Sequence, residues 1–338
     1  MSADQPALSP IDPIESVRIG DQWGRGRPRP PFETETKADE GVHGPIGNLG
    51  SDASKLVLGS ETSQDRAMIN LRVCRLVLGY ALVGGFALTP SALAQTAPKR
   101  TDVGEVPASL LWVGNSFFYY NNSMHNHFGR LASSTTPATR VRSTAVTISG
   151  SGLDWHDMES LVRPGGLGRY SFTRDNEIRF NPPGRQYDVA IIMDCSQCPV
   201  HPELQPAFHQ TVRKHAQTLS KAGIRTALFM SWAYQDKPEM TAQLADQYTR
   251  AGSDNDLIVI PAGLAFANAI AKQRGIELYD ADKRHPSLAG TYLAAATVYA
   301  TLYRQSPVAS TYTAGLDPEL AAMLRAVAWE TVEEYFKR

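Results

Sequence analysis

A chain of 338 residues, 42% hydrophobic and 20% charged, is long enough to bury a full-sized core in one or two domains. Its formal net charge of -1 supplies neither a basic field for nucleic acid nor an acidic field for cations, and no basic patch carries interleaved aromatics, so nucleic-acid binding is not expected.

Residues 1–67 are rich in Pro, Gly, Asp and Ser and show no apolar periodicity. They are expected to carry neither fold nor activity, as a disordered tail or as sequence upstream of a true start at Met68. From Met68 to Arg75 the chain is short and basic, and Leu76 to Leu88 is an apolar run of about 13 residues. Ala92-Leu93-Ala94 then supplies a small-x-small cleavage pattern before Gln95. The run is well short of the roughly 20 residues that span a bilayer. The segment 68–94 therefore reads as a Sec-type signal peptide. The expectation is an exported protein, periplasmic or secreted, with no stable membrane anchor and a single domain over 95–338.

Beyond the leader, strand-like and helix-like segments alternate. Ser109 to Val113 is a short buried strand, followed by the turn Gly114-Asn115-Ser116 and a helix from about Ser123 to Ser133. Arg140 to Ser149 reads as a second strand ending at Gly150, and Leu153 to Val162 as a helix. Tyr187 to Met193 is a third, strongly apolar strand, and Glu203 to Ala222 a helix stopped by Gly223. Thr226 to Met230 is a fourth strand leading to Trp232, Glu239 to Ala251 a helix, and Leu257 to Pro261 a fifth strand. A helix from about Leu264 to Arg274 precedes the loop Asp282-Lys283-Arg284-His285, and Ser287 to Tyr303 is an Ala-rich helix. Apolar strands separated by helices imply a three-layer α/β/α sandwich with a mainly parallel five-stranded sheet. Ser116, Gly150, the Cys195 segment and Trp232 all fall at the carboxyl ends of strands, where such sheets gather their sites.

A serine just past a strand, with a histidine and a carboxylate supplied from a distant loop, is what nucleophilic acyl transfer requires. Asp282 and His285, three apart, can face each other so that the carboxylate accepts one ring N–H and leaves the other nitrogen for the Ser116 hydroxyl. Asp280 is the competing carboxylate at a less suitable offset. Cys195 and Cys198 form a C-x-x-C; unbonded thiols, a disulfide and a metal site are the alternatives, the last lacking two further ligands. His125 and His127 likewise lack a third ligand, so no metal and no cofactor is expected. Trp155-His156 follows the Gly150 turn and is a candidate pocket lining, with a solvated helix start as the alternative.

The block Leu111-Trp112-Val113-Gly114-Asn115-Ser116-Phe117 resembles the first block of the SGNH (GDSL-type) hydrolases, in the branch with Gly-Asn-Ser. The stretch Phe118 to Met124, the turn Ser149 to Leu153 and the block His285 to Leu293 are similar to a little-characterised branch of that family. The resemblance spans about residues 108–304 and implies the SGNH, flavodoxin-like fold. It implies Ser116 as nucleophile, His285 as general base and Asp282 as its orienting carboxylate. It also implies oxyanion donors at the Ser116 and Gly150 N–H groups and at an Asn side chain after the third strand. Here that place reads Asp194-Cys195-Ser196-Gln197-Cys198, with no Asn; Ser196 and Gln197 both offer a donor. Trp232 ends the fourth strand at the same edge of the sheet and is a candidate substrate-binding residue, with packing against the neighbouring helix as the alternative. The expected activity is cleavage of a small-molecule or carbohydrate ester through an acyl-enzyme. The rivals are a ligand-binding protein on the same fold and a thiol oxidoreductase built on the C-x-x-C.

Overall fold

In a parallel sheet covered on both faces, successive strand residues feed opposite cores. Leu110 and Trp112 of β1 (Ser109–Gly114) enter one core, Leu111 and Val113 the other. The same alternation runs through β5 (Val189–Ile192), β6 (Arg225–Phe229) and β7 (Ile258–Ile260). With β2 (Arg142–Thr147) they form one all-parallel sheet in the order β2-β1-β5-β6-β7. The computed structural model describes residues 96–173 and 175–337. The predicted leader at 68–94 and the stretch 1–67 lie outside the described residues.

One core is roofed by α2 (Met124–Ser133), α6 (Ala262–Lys272), α7 (Leu288–Tyr303) and α8 (Pro318–Phe336). The other is roofed by α3 (Met158–Val162), α4 (Gln205–Lys221) and α5 (Met240–Asp254). The expected three-layer sandwich is therefore the observed one. Helix α7 is buried from Ala289 through Tyr303, because α2, α6 and α8 enclose it. That explains a sequence that is apolar all round rather than striped. Among the described residues no helix is long and apolar enough to cross a membrane.

The strand order reverses direction between β1 and β5, the topological switch point of a doubly wound sheet, where a crevice opens beyond the carboxyl ends of the strands. The four-residue helix α1 (Ser116–Tyr119) starts there.

Three features depart from the sequence reading. The helix expected from Leu153 to Val162 is split into a 3-10 turn (Leu153–Trp155) and α3. The Asp194 carboxylate anchors the start of the 3-10 turn by taking the Leu153 N–H at 2.8 Å, and Asp157 starts a new helix by accepting from Ser160 N. Between α3 and β5 stands an antiparallel ribbon, β3 (Tyr170–Phe172) with β4 (Ile178–Phe180), which the helix-and-strand periodicity did not announce. Finally, α8 was not expected, although Asp317 followed by Pro318 is an N-cap with proline at the first helical position.

Asp317 accepts from the N–H groups of Glu319 and Leu320, both at 3.0 Å. Replacing Asp317 by Ala is expected to cost about 1 kcal/mol, read as a lower urea midpoint with an unchanged slope. An unchanged midpoint would mean that α8 does not depend on its cap.

Candidate active site

Gly114 ends β1 where a Cβ would lie 2.9 Å from the Phe118 ring and 3.1 Å from the Met193 methyl, so only glycine fits the close packing beneath the turn. The chain then bends at Asn115, whose side chain is buried and makes three bonds. Its Oδ1 caps α1 by accepting from Phe117 N at 3.2 Å, while Nδ2 donates to the Ser151 carbonyl at 3.1 Å and to the Asp194 carbonyl at 3.2 Å. The turn after β1, the turn after β2 and the end of β5 are thereby sewn together next to Ser116.

Ser116 is 7% exposed and its Oγ lies 2.7 Å from Nε2 of His285. On the other side of the ring, Nδ1 is hydrogen-bonded to Oδ2 of Asp282. An ionised carboxylate can only accept, so Nδ1 carries the proton and the Nε2 lone pair accepts from the Ser116 hydroxyl. Burial works against ionisation of Asp282. The bonds from the His285 ring and from the N–H groups of Arg284 and His285, the latter two at 2.9 Å, outweigh it and hold the carboxyl below its usual range. Asp280 is occupied elsewhere: its Oδ1 accepts from Ala281 N at 2.8 Å.

The loop that carries His285 is clamped from the end of β6. Trp232 Nε1 donates to the Arg284 carbonyl at 3.0 Å, Gln235 N to the Lys283 carbonyl at 3.0 Å, and Tyr279 Oη to the Ala233 carbonyl at 2.8 Å. The Arg284 guanidinium lies over the Tyr234 ring at 4.6 Å. From the other side, Asn121, at φ 51°, donates to the Pro286 carbonyl at 2.7 Å and to Thr291 Oγ1 at 2.9 Å. Trp232 is therefore not a substrate-facing residue as expected. Its ring is fully buried, stacked between Phe117 and Phe266, and its role is to hold the histidine loop.

The other expected residues fall around this centre. Gly150 sits in an exposed turn at φ +67°, a conformation glycine adopts without strain. The turn is moored through Ser151, whose Oγ donates to the Gly114 carbonyl at 3.4 Å. The hydroxyl of Ser196 is engaged with Tyr234 Oη at 2.6 Å. Gln197 is exposed, and its side-chain amide has no hydrogen-bond partner among the described residues. Trp155 is 59% exposed on the anchored 3-10 turn, and Tyr119 is exposed nearby in sequence to Ser116, with its hydroxyl on Ser149 Oγ at 3.1 Å. His156 is buried against Ser151 Oγ at 3.2 Å and is not a lining residue.

Cys195 and Cys198 are joined in a disulfide. No helix begins at them, since α4 starts only at Gln205, so the helix N-terminus that activates thiols in redox C-x-x-C motifs is missing. The same bond removes Asp194, Cys195 and Cys198 as a metal-ligand set. His127 spends both ring nitrogens within the fold, on the Asn121 carbonyl at 2.7 Å and on Tyr312 Oη at 2.9 Å.

Asn115, Tyr120 and Asp194 are the site residues that sequence reasoning assigned no role. Asp194 is buried at the end of β5, and its Oδ1 accepts from Leu153 N at 2.8 Å and Cys195 N at 2.7 Å. Burial raises its carboxyl to about 6, against the pull of those two N–H groups and with a further push from Asp154.

No family model matches this sequence, and no curated protein matches it. Among solved structures, the chain is similar to a DUF4886 family protein from Bacteroides uniformis, at 16% identity over 68% of this chain and 95% of that chain, with a TM-score of 0.47. It is also similar to a member of the lipolytic protein G-D-S-L family from Veillonella parvula, at 13% identity over 58% and 99% of the two chains, TM-score 0.42. A third is Axe2, an acetylxylan esterase from Geobacillus stearothermophilus, at 15% identity over 65% and 98%, TM-score 0.41. These are likenesses of fold at low identity.

The raised carboxyl of Asp194 makes a prediction about stability. The folded state favours the protonated form, so the contribution is fully present below the unfolded value near 3.8 and is lost as pH rises through about 6. The span from 3.8 to about 6 corresponds to roughly 3 kcal/mol at most. Asp194→Asn keeps an acceptor for Leu153 and Cys195. Its stability relative to wild type is expected to climb between pH 4 and pH 7, measured by denaturant titration at each pH. A difference that stays constant across that range would contradict the assignment.

Proposed function

We propose that this protein is an exported serine ester hydrolase that works through an acyl-enzyme on Ser116, with His285 as general base and acid and Asp282 as the group that orients it. The carrying observation is the hydrogen-bonded series Ser116 Oγ, His285 Nε2 and Nδ1, Asp282 Oδ2, assembled from positions 169 and three residues apart in sequence. The chemistry follows from the proton positions. As Ser116 Oγ attacks the ester carbonyl carbon, its proton moves to Nε2, and Asp282 stabilises the imidazolium that forms. The imidazolium then protonates the departing alkoxide, leaving the acyl group on Ser116. Water repeats the sequence in the second half and releases the acid.

The oxyanion formed at each stage needs hydrogen-bond donors besides the triad side chains. The reading assigns the Ser116 and Gly150 N–H groups and the Gln197 side-chain amide. Ser196 is the weaker alternative because its hydroxyl is already committed to Tyr234, whereas the Gln197 amide is uncommitted. The substrate class proposed is an acylated carbohydrate or a short-chain ester, with the exposed rings of Trp155 and Tyr119 as surfaces for its flat apolar faces. Export is proposed from the leader-like segment 68–94. The Cys195–Cys198 disulfide supports an oxidising compartment.

Initial rates on p-nitrophenyl acetate test this reading. Ser116→Ala is expected to lower kcat/KM by at least about 10³-fold. Gln197→Ala is expected to lower kcat by roughly 10²- to 10³-fold, the cost of one oxyanion donor, with Ser196→Ala well short of that. A wild-type rate no higher than that of Ser116→Ala would refute the hydrolase reading, and the reverse ranking of the Gln197 and Ser196 variants would refute the donor assignment alone.

A further inference from the structure

The His285 imidazole is held largely by one turn of the chain. Ser116, at the start of α1, meets Nε2 at 2.7 Å. Phe117 meets the ring edge-on, with centroids 5.4 Å apart and planes at 75°. Tyr120, which closes the same turn by donating its N–H to the Ser116 carbonyl at 3.1 Å, stacks flat on the imidazole at 4.1 Å and 9°. The Tyr120 hydroxyl has no hydrogen-bond partner among the described residues, so the ring contributes through its face alone.

These restraints do not survive the reaction equally. In the resting protein the imidazole is pinned at both nitrogens, by Ser116 and by Asp282. Once Ser116 Oγ carries an acyl group it has no proton to donate, and the bond to Nε2 is gone. The ring is then attached at Nδ1 only, and one hydrogen bond lets a planar group tilt about it. A ring stacked on the face opposes that tilt.

We propose that Tyr120 is a positioning residue whose main effect is on deacylation. The inference rests on the reading of Ser116 as nucleophile and His285 as base. In deacylation the water oxygen bonds to the acyl carbon and its proton passes to Nε2. The bond from acyl carbon to Ser116 Oγ breaks, and the imidazolium returns the proton to Oγ, giving the carboxylic acid and free serine with no change of oxidation state. This half-reaction needs Nε2 aimed at a water without help from the Ser116 hydroxyl, so it depends on the Tyr120 face more than acylation does.

Stopped-flow and quenched-flow kinetics with p-nitrophenyl acetate on the full chain separate the two steps. For Tyr120→Ala, acylation is expected to stay within about threefold of wild type while deacylation slows roughly tenfold or more, the scale set by one lost stacking contact and a small misplacement of the base. The variant should then show a burst of about one p-nitrophenol per protein and an acetyl group on the Ser116 peptide, and Tyr120→Phe should restore the wild-type partition. Should Tyr120→Ala not fold, Tyr120→Leu keeps an apolar contact without a flat face and is read the same way. If wild type turns over and both steps slow equally, or neither slows, this inference fails alone. A wild type that neither turns over nor acylates overturns the hydrolase reading, and this inference with it.

Discussion

The side chain of Asn115 is the constraint on which the site depends. The amide Nδ2 reaches the Ser151 and Asp194 carbonyls while Oδ1 caps the turn at Phe117, so one buried group fixes the relative positions of three strand ends. A carboxylate of the same shape can cap the turn but cannot donate to either carbonyl, and would bring its charge to two carbonyl oxygens in a dry place. The choice of Asn in the Gly-Asn-Ser block is thus tied to what surrounds it here: the Gly150 turn on one side and the Asp194 segment on the other. Ser116 inherits the placement of its backbone from this knot.

His285 is positioned by a second arrangement. Its loop contains a non-glycine residue at positive φ, Lys283 at 64°, a conformation that surrounding contacts must hold in place. The holding contacts are backbone carbonyls of the loop taken by Trp232, Gln235 and Asn121. The carboxylate of Asp282 meanwhile accepts from two backbone N–H groups of its own loop as well as from the imidazole. The nucleophile and the base therefore stand on two supports that meet at the 2.7 Å hydrogen bond. Phe117, Tyr120 and Asn121 tie one support to the other directly.

The layers of the fold were legible because strand and helix periodicities in this chain are strong. Leu110 to Val113 and Ala190 to Ile192 read as doubly buried strands and are so. The spacing of Asp282 and His285 likewise suggested that the two side chains face each other, and the loop brings them into contact. What failed to show was everything decided by tertiary contact. The turn at Leu153 is anchored by a carboxylate 41 residues away in sequence, which local periodicity does not encode. Trp232 ends a strand at the site edge, where stacking on substrate and packing on a helix read alike in sequence, and its partners Phe117 and Phe266 come from distant segments. The ribbon of β3 and β4 is too short for a period to register. Two local signals were passed over, the Asp317-Pro318 start of α8 and the Asp157 cap that begins α3.

The central claim is that Ser116 is a nucleophile activated by His285. The most direct measurement is covalent labelling of the intact protein by a fluorophosphonate, with the modified peptide located by mass spectrometry. The account predicts one label per chain, on Ser116, and labelling slowed by orders of magnitude when His285 is replaced by Ala. A label on any other residue, or equal labelling with and without the His285 ring, would contradict it.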